Sequence, residues 1–488
     1  AQRQGARRRA SVEDGNAEDA SAEDRGEQGW SEEGSSMAQE GMSRYKEALD
    51  WIHSTMRFGS KPGLERIGHL LRLLGNPESE CRYLHIAGTN GKGSVTAMMA
   101  SVLRACGYRT GMYISPYLED FRERITVNGR MIPEEDLVKM VDQVRPEVQK
   151  MVSEGREHPT EFEVITALAF LYYRLQGCDY VSLEVGLGGR FDATNVVTPA
   201  VSTITTISFD HTDRLGNTLA QIAFEKAGII KPGVPVVTGV TEEEPLNVIT
   251  RRAEELGAPV YVVAAAPDAD ITWREVSRSL HGQVIDVFGP GFAYEGLVVP
   301  LLGKHQQQNA AVAVASLELA RPNNRRRILH LDRSAVAHGI ATTVWPARFE
   351  VLSRSPAVIL DGAHNPGGAK ALREAMEDVA RKRLICVFGM LGDKEYKQVA
   401  ATVTEMCDSV IVTQPDTPRS LDAASLAEEV RRYVSDVEIE PDIRKAIDAA
   451  LAKAGPEDAV LCCGSLYLVG PARTYLRSKL GISEGRRE

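Results

Sequence analysis

The stretch HIAGTNGKGSVTAMM, residues 85–99, gathers glycines, a lysine and a serine at what reads as a strand-to-helix turn. Successive backbone N–H groups of Gly88, Thr89, Asn90, Gly91 and Gly93 can surround phosphate oxygens, and a helix N-terminus adds partial positive charge. Lys92 can reach the outer phosphates, and Ser94 can offer its hydroxyl to Mg²⁺. That hydroxyl follows the lysine by two places, a departure from the usual GxxxxGK[ST] order. A plain tight turn would use the same glycines, so the lysine and hydroxyl carry the phosphate reading.

Other residues share this chemistry. Glu184 ends the apolar run YVSLEV, which puts a carboxylate at the C-terminal edge of a sheet, where ligands commonly bind. Buried alone it would be costly, so it reads as a metal ligand or as half of a structural ion pair. Ser115 and His211 also follow strand-like runs. Lys226 lies in FEKAGI, where a surface pair with Glu225 is the plain alternative. Arg348, in WPARFE, offers a fork for a bidentate anion contact. Asp361 and His364 stand in LDGAHNPGG, directly after the apolar run AVIL. His305 and Asn309 are four apart and share one helical face.

The elements needed to position these groups are legible. Strand-like runs (YLHIAG, RTGMYIS, YVSLEVG, VSTITTIS, PVVTGV) alternate with helical ones such as EVITALAFLYYRLQG and TLAQIAFEKAG. That rhythm predicts a mainly parallel sheet with helices on both faces. Residues 258–302 hold further short strand-like runs that can extend one edge. A second alternating block starts near Trp345. The expected architecture is α/β: a P-loop-containing domain with a mainly parallel sheet over 42–343 and a smaller Rossmann-like domain over 344–488. SRYKEALDWIHSTM reads as a helix with Ala48, Leu49, Ile52 and Met56 as its apolar stripe. Residues 1–41 are polar and charged, which predicts disorder, with Met37 or Met42 as candidate starts.

The totals narrow the partners. The 488 residues carry a formal net charge of −10 and no long basic tract, so nucleic acid is a poor expectation. The seven cysteines are odd in number and lack CxxC spacing. This argues against a zinc site and for a reducing cytoplasmic setting. No apolar run reaches the roughly 18 residues of a membrane span, and the expected state is a monomer.

Beyond single residues, AGTNGKGS resembles the ATP-binding loop of the Mur ligase superfamily, and more narrowly that of folylpolyglutamate synthase and dihydrofolate synthase, where a glycine follows the lysine and the serine comes next. MRFGSKPGLERI, ISPYLEDFRERITVNGR, LEVGLGGRFDATN, SFDHTDRLGNTLAQIAFEKAGIIKPG, WPARFE, LDGAHNP and GSLYLVG extend the resemblance over about residues 51–470. Tyr117 and Ala347 depart from the family's usual His and Gly.

The resemblance implies ATP-dependent ligation of L-glutamate to dihydropteroate or a reduced folate through an acyl phosphate, by a bifunctional enzyme. It implies ATP contacts at Asn309, Arg348 and Asp361, and two Mg²⁺ ions held through Ser94, Ser115, Glu184 and His211. Lys226 becomes the lysine that is carbamylated. Asp192 and Phe162 take the pterin, and His364 and Ser465 take glutamate. From the residues alone, Asp192 reads equally as a turn cap, Phe162 as a core aromatic and Ser465 as a turn residue. Two rivals are another superfamily ligase acting on a cell-wall precursor and a non-enzymatic nucleotide switch. KPGLERI and FEKAGIIKPG argue against the first. Asp361, His364 and the Lys226 region have no task in the second.

Overall fold

The computed structural model describes residues 27–59, 61–320 and 329–482. Two sheets organise it. The larger comprises β1 (Arg82–Ala87), β2 (Thr110–Tyr113), β3 (Ile125–Val127), β4 (Arg130–Met131), β5 (Tyr180–Glu184), β6 (Val201–Ile204), β7 (Val236–Thr238), β8 (Val260–Ala264), β9 (Ile271–Ser279), β10 (Gly282–Gly289) and β11 (Phe292–Val299). Their order is β11-β10-β9-β8-β7-β6-β1-β5-β2-β3-β4. The pairings from β2 through β9 are parallel, and antiparallel ribbons finish both edges. The expected edge extension is therefore β9–β11.

The second sheet holds β12 (Glu350–Arg354), β13 (Ala357–Asp361), β14 (Leu384–Phe388), β15 (Ser409–Val412), β16 (Val437–Ile439) and β17 (Ala459–Cys463), in the order β12-β13-β17-β14-β15-β16. All but the β12–β13 pair are parallel. Central strands such as β1, β5, β13, β14 and β17 are buried almost throughout because helices cover both faces. In the first sheet the helices Lys92–Ala105 and Lys304–Leu319 bury Val95, Met98, Val102, Val312 and Val314 on one side. Glu161–Leu175 buries Val164, Leu168 and Phe170 in a separate core.

Two local expectations change. The first helix runs Glu27–Ser54, so residues 27–41 of the segment expected to be disordered are helical, and residues 1–26 lie outside the described residues. Once Ala48 and Ile52 are anchored in the core, each preceding residue adds a backbone hydrogen bond without a new nucleation cost. Met56 is not part of the stripe; it sits exposed in the 3₁₀ turn Thr55–Phe58 that ends this helix. All seven cysteines are free thiols. Among the described residues no helix is long and apolar enough to cross a membrane.

The arrangement matters for chemistry because β1, β2, β5 and β6 of the first sheet and β13, β14 and β17 of the second all end beside one interdomain cleft. Open parallel sheets bind ligands at that edge.

Candidate active site

β1 ends at Ala87, and the chain turns through Gly88–Gly91 into the helix beginning at Lys92. The turn is stapled to the segment after β6. Thr89 N donates to Thr206 O (2.8 Å), Asn90 N donates to Thr206 Oγ1 (3.0 Å), and Thr205 Oγ1 donates to Asn90 O (2.6 Å). Gly91 caps the helix at φ 85°, and a Cβ there would stand 2.4 Å from Asn309 Oδ1. Asn309 thus lies directly against the loop. The extra glycine before Ser94 also has a physical reason: a Cβ on Gly93 would meet the Trp345 ring at 2.7 Å. The GKGS order makes room for an indole from the interdomain segment.

Lys92 Nζ donates to Gly88 O (3.0 Å) and Thr89 O (3.1 Å), and Lys226 Nζ donates to Gly88 O (2.9 Å). Two lysines therefore converge on one loop carbonyl. Burial pushes the Lys92 ammonium below its ordinary range, with Glu184 opposing. Burial, aided by Lys92, lowers Lys226 to about 7. Glu184 is buried and accepts one bond, from Ser115 N at 3.3 Å. Burial raises it to about 7 against the pull of Lys92.

The second domain supplies the facing wall. Asp361, at the end of β13, accepts from Phe349 N and Ala363 N, both at 2.8 Å. Burial raises its carboxyl, and Arg348 counters this. Arg348 projects between Ala347 and Phe349, which both adopt positive φ (58° and 49°). The left-handed backbone at Ala347 is where a glycine would be at ease.

His364 Nδ1 donates to Gly362 O (2.8 Å), and its Nε2 is 3.7 Å from Asp210 Oδ2. Lys394 Nζ donates to Asp210 Oδ1 (2.8 Å) and lies 2.8 Å from His211 Nε2. Asn365 Nδ2 reaches Asp210 Oδ2 (3.1 Å), and its amide exchanges two bonds with that of Asn90. Burial pushes Asp210 up, but hydrogen bonding from His364 and the Lys394 charge outweigh it and hold the carboxylate far below its usual range. His211 is lowered to about 4 by burial, so it is neutral near pH 7. Residues 210, 365 and 394 thus form an interdomain hub. Asn365 was not singled out in the sequence; it caps the helix Pro366–Met376, and nothing local pairs it with Asn90.

A cavity of about 390 Å³ is lined by Gly88–Ser94, Ser115, Glu184, His211, Lys226, Asn309, Arg348, Asp361 and His364. It adjoins a second cavity of about 890 Å³ that shares Ser115, His211 and His364 and adds Phe162, Asp192 and Ser465. Every residue singled out for phosphate, metal or substrate thus lines one of two contiguous spaces. Phe162 and Asp192 are neighbours: a Cβ on Gly186 would lie 2.5 Å from the Phe162 ring and 3.0 Å from Asp192 Oδ2. Asp192 also caps its turn, accepting from Thr194 N (3.0 Å) and Leu187 N (2.9 Å). Ser465 is the buried N-cap of the helix Leu466–Lys479.

Among the described residues, no three His, Cys, Asp or Glu side chains converge as a metal cage. Glu184 nevertheless fits a cation: a buried carboxylate with one long hydrogen bond is under-coordinated, and Mg²⁺ keeps water and phosphate oxygens in most of its positions.

Residues 86–317 match the Mur ligase middle domain, and residues 347–466 match the Mur ligase, glutamate ligase domain. The dihydrofolate synthase/folylpolyglutamate synthase of Bacillus subtilis is 39% identical over 437 residues, covering 89% of this chain and 99% of that protein. Folylpolyglutamate synthase of Mycobacterium tuberculosis, solved with ADP and AMPPCP, superposes with a TM-score of 0.81 at 33% identity, covering 89% of this chain and 98% of that one. E. coli FolC in complex with DHPP and ADP gives 0.79 at 31%, with the same coverage. Identity at this level along nearly the whole of a relative, on the same two-sheet architecture, makes the chain a member of the dihydrofolate synthase/folylpolyglutamate synthase family of Mur ligases.

Proposed function

We propose that this chain joins the amino group of L-glutamate to the carboxylate of dihydropteroate and of a reduced folate, as a bifunctional, monomeric, cytoplasmic enzyme that consumes ATP. The observation that carries this reading is the meeting of two walls. The loop with Lys92 and Glu184 faces Arg348, Asp361 and His364 across one cleft, and the larger cavity opens beside it.

The phosphates of ATP sit on the Gly88–Ser94 turn. Lys92 exchanges its two loop carbonyls for phosphate oxygens, and Arg348 clamps the chain of phosphates from the other domain. Asn309 and Asp361 hold the base and ribose ends. Magnesium, when bound, neutralises phosphate charge, with Ser94 and Glu184 as its protein ligands and Ser115 and His211 toward a second ion. Phe162 and Asp192 hold the pterin so that its carboxylate points at the γ-phosphate. Carboxylate oxygen attacks phosphorus, ADP leaves, and an acyl phosphate forms. His364 and Ser465 place glutamate, whose amine attacks the acyl carbon. Phosphate departs and an amide remains. Positioning and fixed charge do most of this work, and a closed interdomain cleft keeps water from the anhydride.

Lys226 completes the electrostatics. Its lowered ammonium pKa leaves a substantial neutral fraction near pH 7. The neutral nitrogen can add to CO₂, forming an N–C bond and releasing a proton. The resulting carbamate replaces a cation beside Lys92 with an anion suited to a metal-rich site.

Purified protein with Mg-ATP and glutamate, offered dihydropteroate or tetrahydrofolate separately, is expected to add a glutamyl residue to each by mass spectrometry. Addition to only one would restrict the activity. ATP consumption with no new glutamyl amide would overturn the reading.

A further inference from the structure

The cavity of about 890 Å³ that holds Phe162 and Asp192 does not end at those residues. It shares Arg214, Leu215 and Glu225 with a further cavity of about 730 Å³, walled by the helices Leu219–Ala227 and Glu243–Glu255. Both volumes fall in the roughly 300–1,000 Å³ range of small-molecule sites. None of the residues given a role above lines the outer space.

Two aromatic rings stand where the cavities meet, Phe191 on the inner wall and Phe224 on the outer. The Arg190 guanidinium lies over both, 4.2 Å from the Phe191 centroid and 5.0 Å from that of Phe224. Its Nη2 and Nε donate to the two carboxylate oxygens of Glu225 at 2.7 and 3.3 Å, and its backbone N–H donates to Glu225 O at 2.8 Å. A Cβ on Gly228 would come within 2.4 Å of Arg190 Cα, so the end of this helix presses on the loop after β5. The guanidinium is thereby fixed between the rings, yet Phe191 is 43% exposed and Phe224 49%. Two large rings that flank one immobilised cation and stay open at a cavity mouth form an exposed apolar patch of the kind that marks a ligand groove. Planar heterocycles stack on such faces. Charge follows the same path. The two carboxylates of the outer wall are committed, Glu225 to Arg190 and Glu255 to Arg252. Arg214 and Arg251 line that wall as well, and Arg214 has a long 3.7 Å contact with its chain neighbour Asp213. Guanidinium groups therefore remain for anions that a ligand brings.

Chain extension says which ligand has this form. The reacting carboxylate is fixed at the γ-phosphate, so each glutamate already added pushes the acceptor's planar head several ångströms outward and places one more α-carboxylate behind it. Dihydropteroate keeps its head at Phe162 and Asp192; an acceptor with several glutamates cannot. We propose that Phe191 and Phe224 form an outer stacking subsite for the head of acceptors that already carry several γ-linked glutamates, with Arg214 and Arg251 on their α-carboxylates, and that this wall sets how well long acceptors are extended. The proposal rests on the ligase reading and on the reacting end staying beside Lys92.

The test uses the full chain with saturating Mg-ATP and glutamate, and compares dihydropteroate with tetrahydrofolate triglutamate as acceptor. Phe224→Leu keeps apolar bulk and removes the ring. It should raise the KM for the triglutamate by about tenfold, the scale of one lost stacking contact, and leave the melting temperature and the kinetics with dihydropteroate unchanged. Phe224→Tyr restores a ring and should return the triglutamate KM to that of the parent. Arg214→Gln should also raise the triglutamate KM and make it less sensitive to salt. A triglutamate KM unmoved by Phe224→Leu, or an equal loss with both acceptors, would overturn the subsite. So would a parent that extends dihydropteroate and never the triglutamate. Calorimetry of the triglutamate with a non-hydrolysable ATP analogue, parent against Phe224→Leu, reads the subsite without turnover, and equal affinities there would also overturn it. A parent that extends neither acceptor would refute the ligase reading instead, and the calorimetric difference would then decide the subsite alone.

Discussion

Lys92, Gly93 and Lys226 show how much chemistry rests on single atoms. The Lys92 ammonium is held within about 3 Å of two loop carbonyls, poised for phosphate oxygens. Lys92→Ala is expected to cut turnover by about a thousandfold, the scale of a lost transition-state electrostatic contact, while the melting temperature stays within a few degrees. Near-normal turnover would remove the phosphate assignment. Gly93→Ala puts a methyl 2.7 Å from the Trp345 ring. Overpacking of this kind costs about 1–3 kcal/mol, readable by urea titration together with a change in tryptophan emission. Trp345→Ala in the same chain should relieve most of it. Lys226→Ala should be nearly inactive and partly rescued by acetate, which returns a carboxylate to the site. In the parent, ¹³C-bicarbonate should yield a carbamate resonance absent from that variant, and a silent spectrum would leave Lys226 a plain cation.

At the scale of elements, β1 places a histidine where none can ionise easily. His85 is buried, its Nε2 pairs with Thr194 Oγ1 at 2.9 Å, and its Nδ1 has no partner among the described residues. Burial lowers it to about 3. Since the unfolded side chain titrates near 6.5, the unfolded state binds more protons between those values. Stability should therefore fall as pH drops from about 6.5 toward 3, by up to about 1.4 kcal/mol per pH unit from this one site. His85→Gln should flatten that acid limb, and an unchanged slope would show that other groups set it. The elements themselves were largely legible in the chain. Alternating apolar runs and helical stripes are local signals, so the helix start carrying Lys92 and the strands ending at Glu184 and Asp361 could be located before any contact was known. The length of the first helix was not legible, because its N-terminal turns borrow stability from Ala48 and Ile52 further along. Nor was the pairing of Asn90 with Asn365 or of Asp210 with Lys394. Those contacts depend on how two sheets meet, and no periodicity records that.

The whole molecule is two sheets whose strand ends face each other, and polar contacts join the domains at several points, among them Arg278 with Asp378 and His281 with Arg354; two lie beside the cleft. One is the Asp210 hub with Lys394, His364 and Asn365. The other is Arg473, which bonds Glu119 of the first domain at 2.6 Å, with Thr474 Oγ1 on the same carboxylate at 2.7 Å. Polar interfaces of this kind suit domains that part and close again, as substrate entry and anhydride protection require. The Lys394–Asp210 pair is well shielded, with side chains 6% and 11% exposed. Truncating one partner of a buried charge pair is costly. Lys394→Met keeps the aliphatic stem and removes only the ammonium, so its cost should fall on closure and not on either domain's own core. Small-angle scattering should show a larger radius of gyration than the parent, and the KM for ATP should rise by at least about tenfold. Each domain's unfolding transition should stay in place. If scattering and KM both match the parent, the hub is an ornament of the closed form and the domains are held together by their other contacts, those of Arg473 and Arg278 among them.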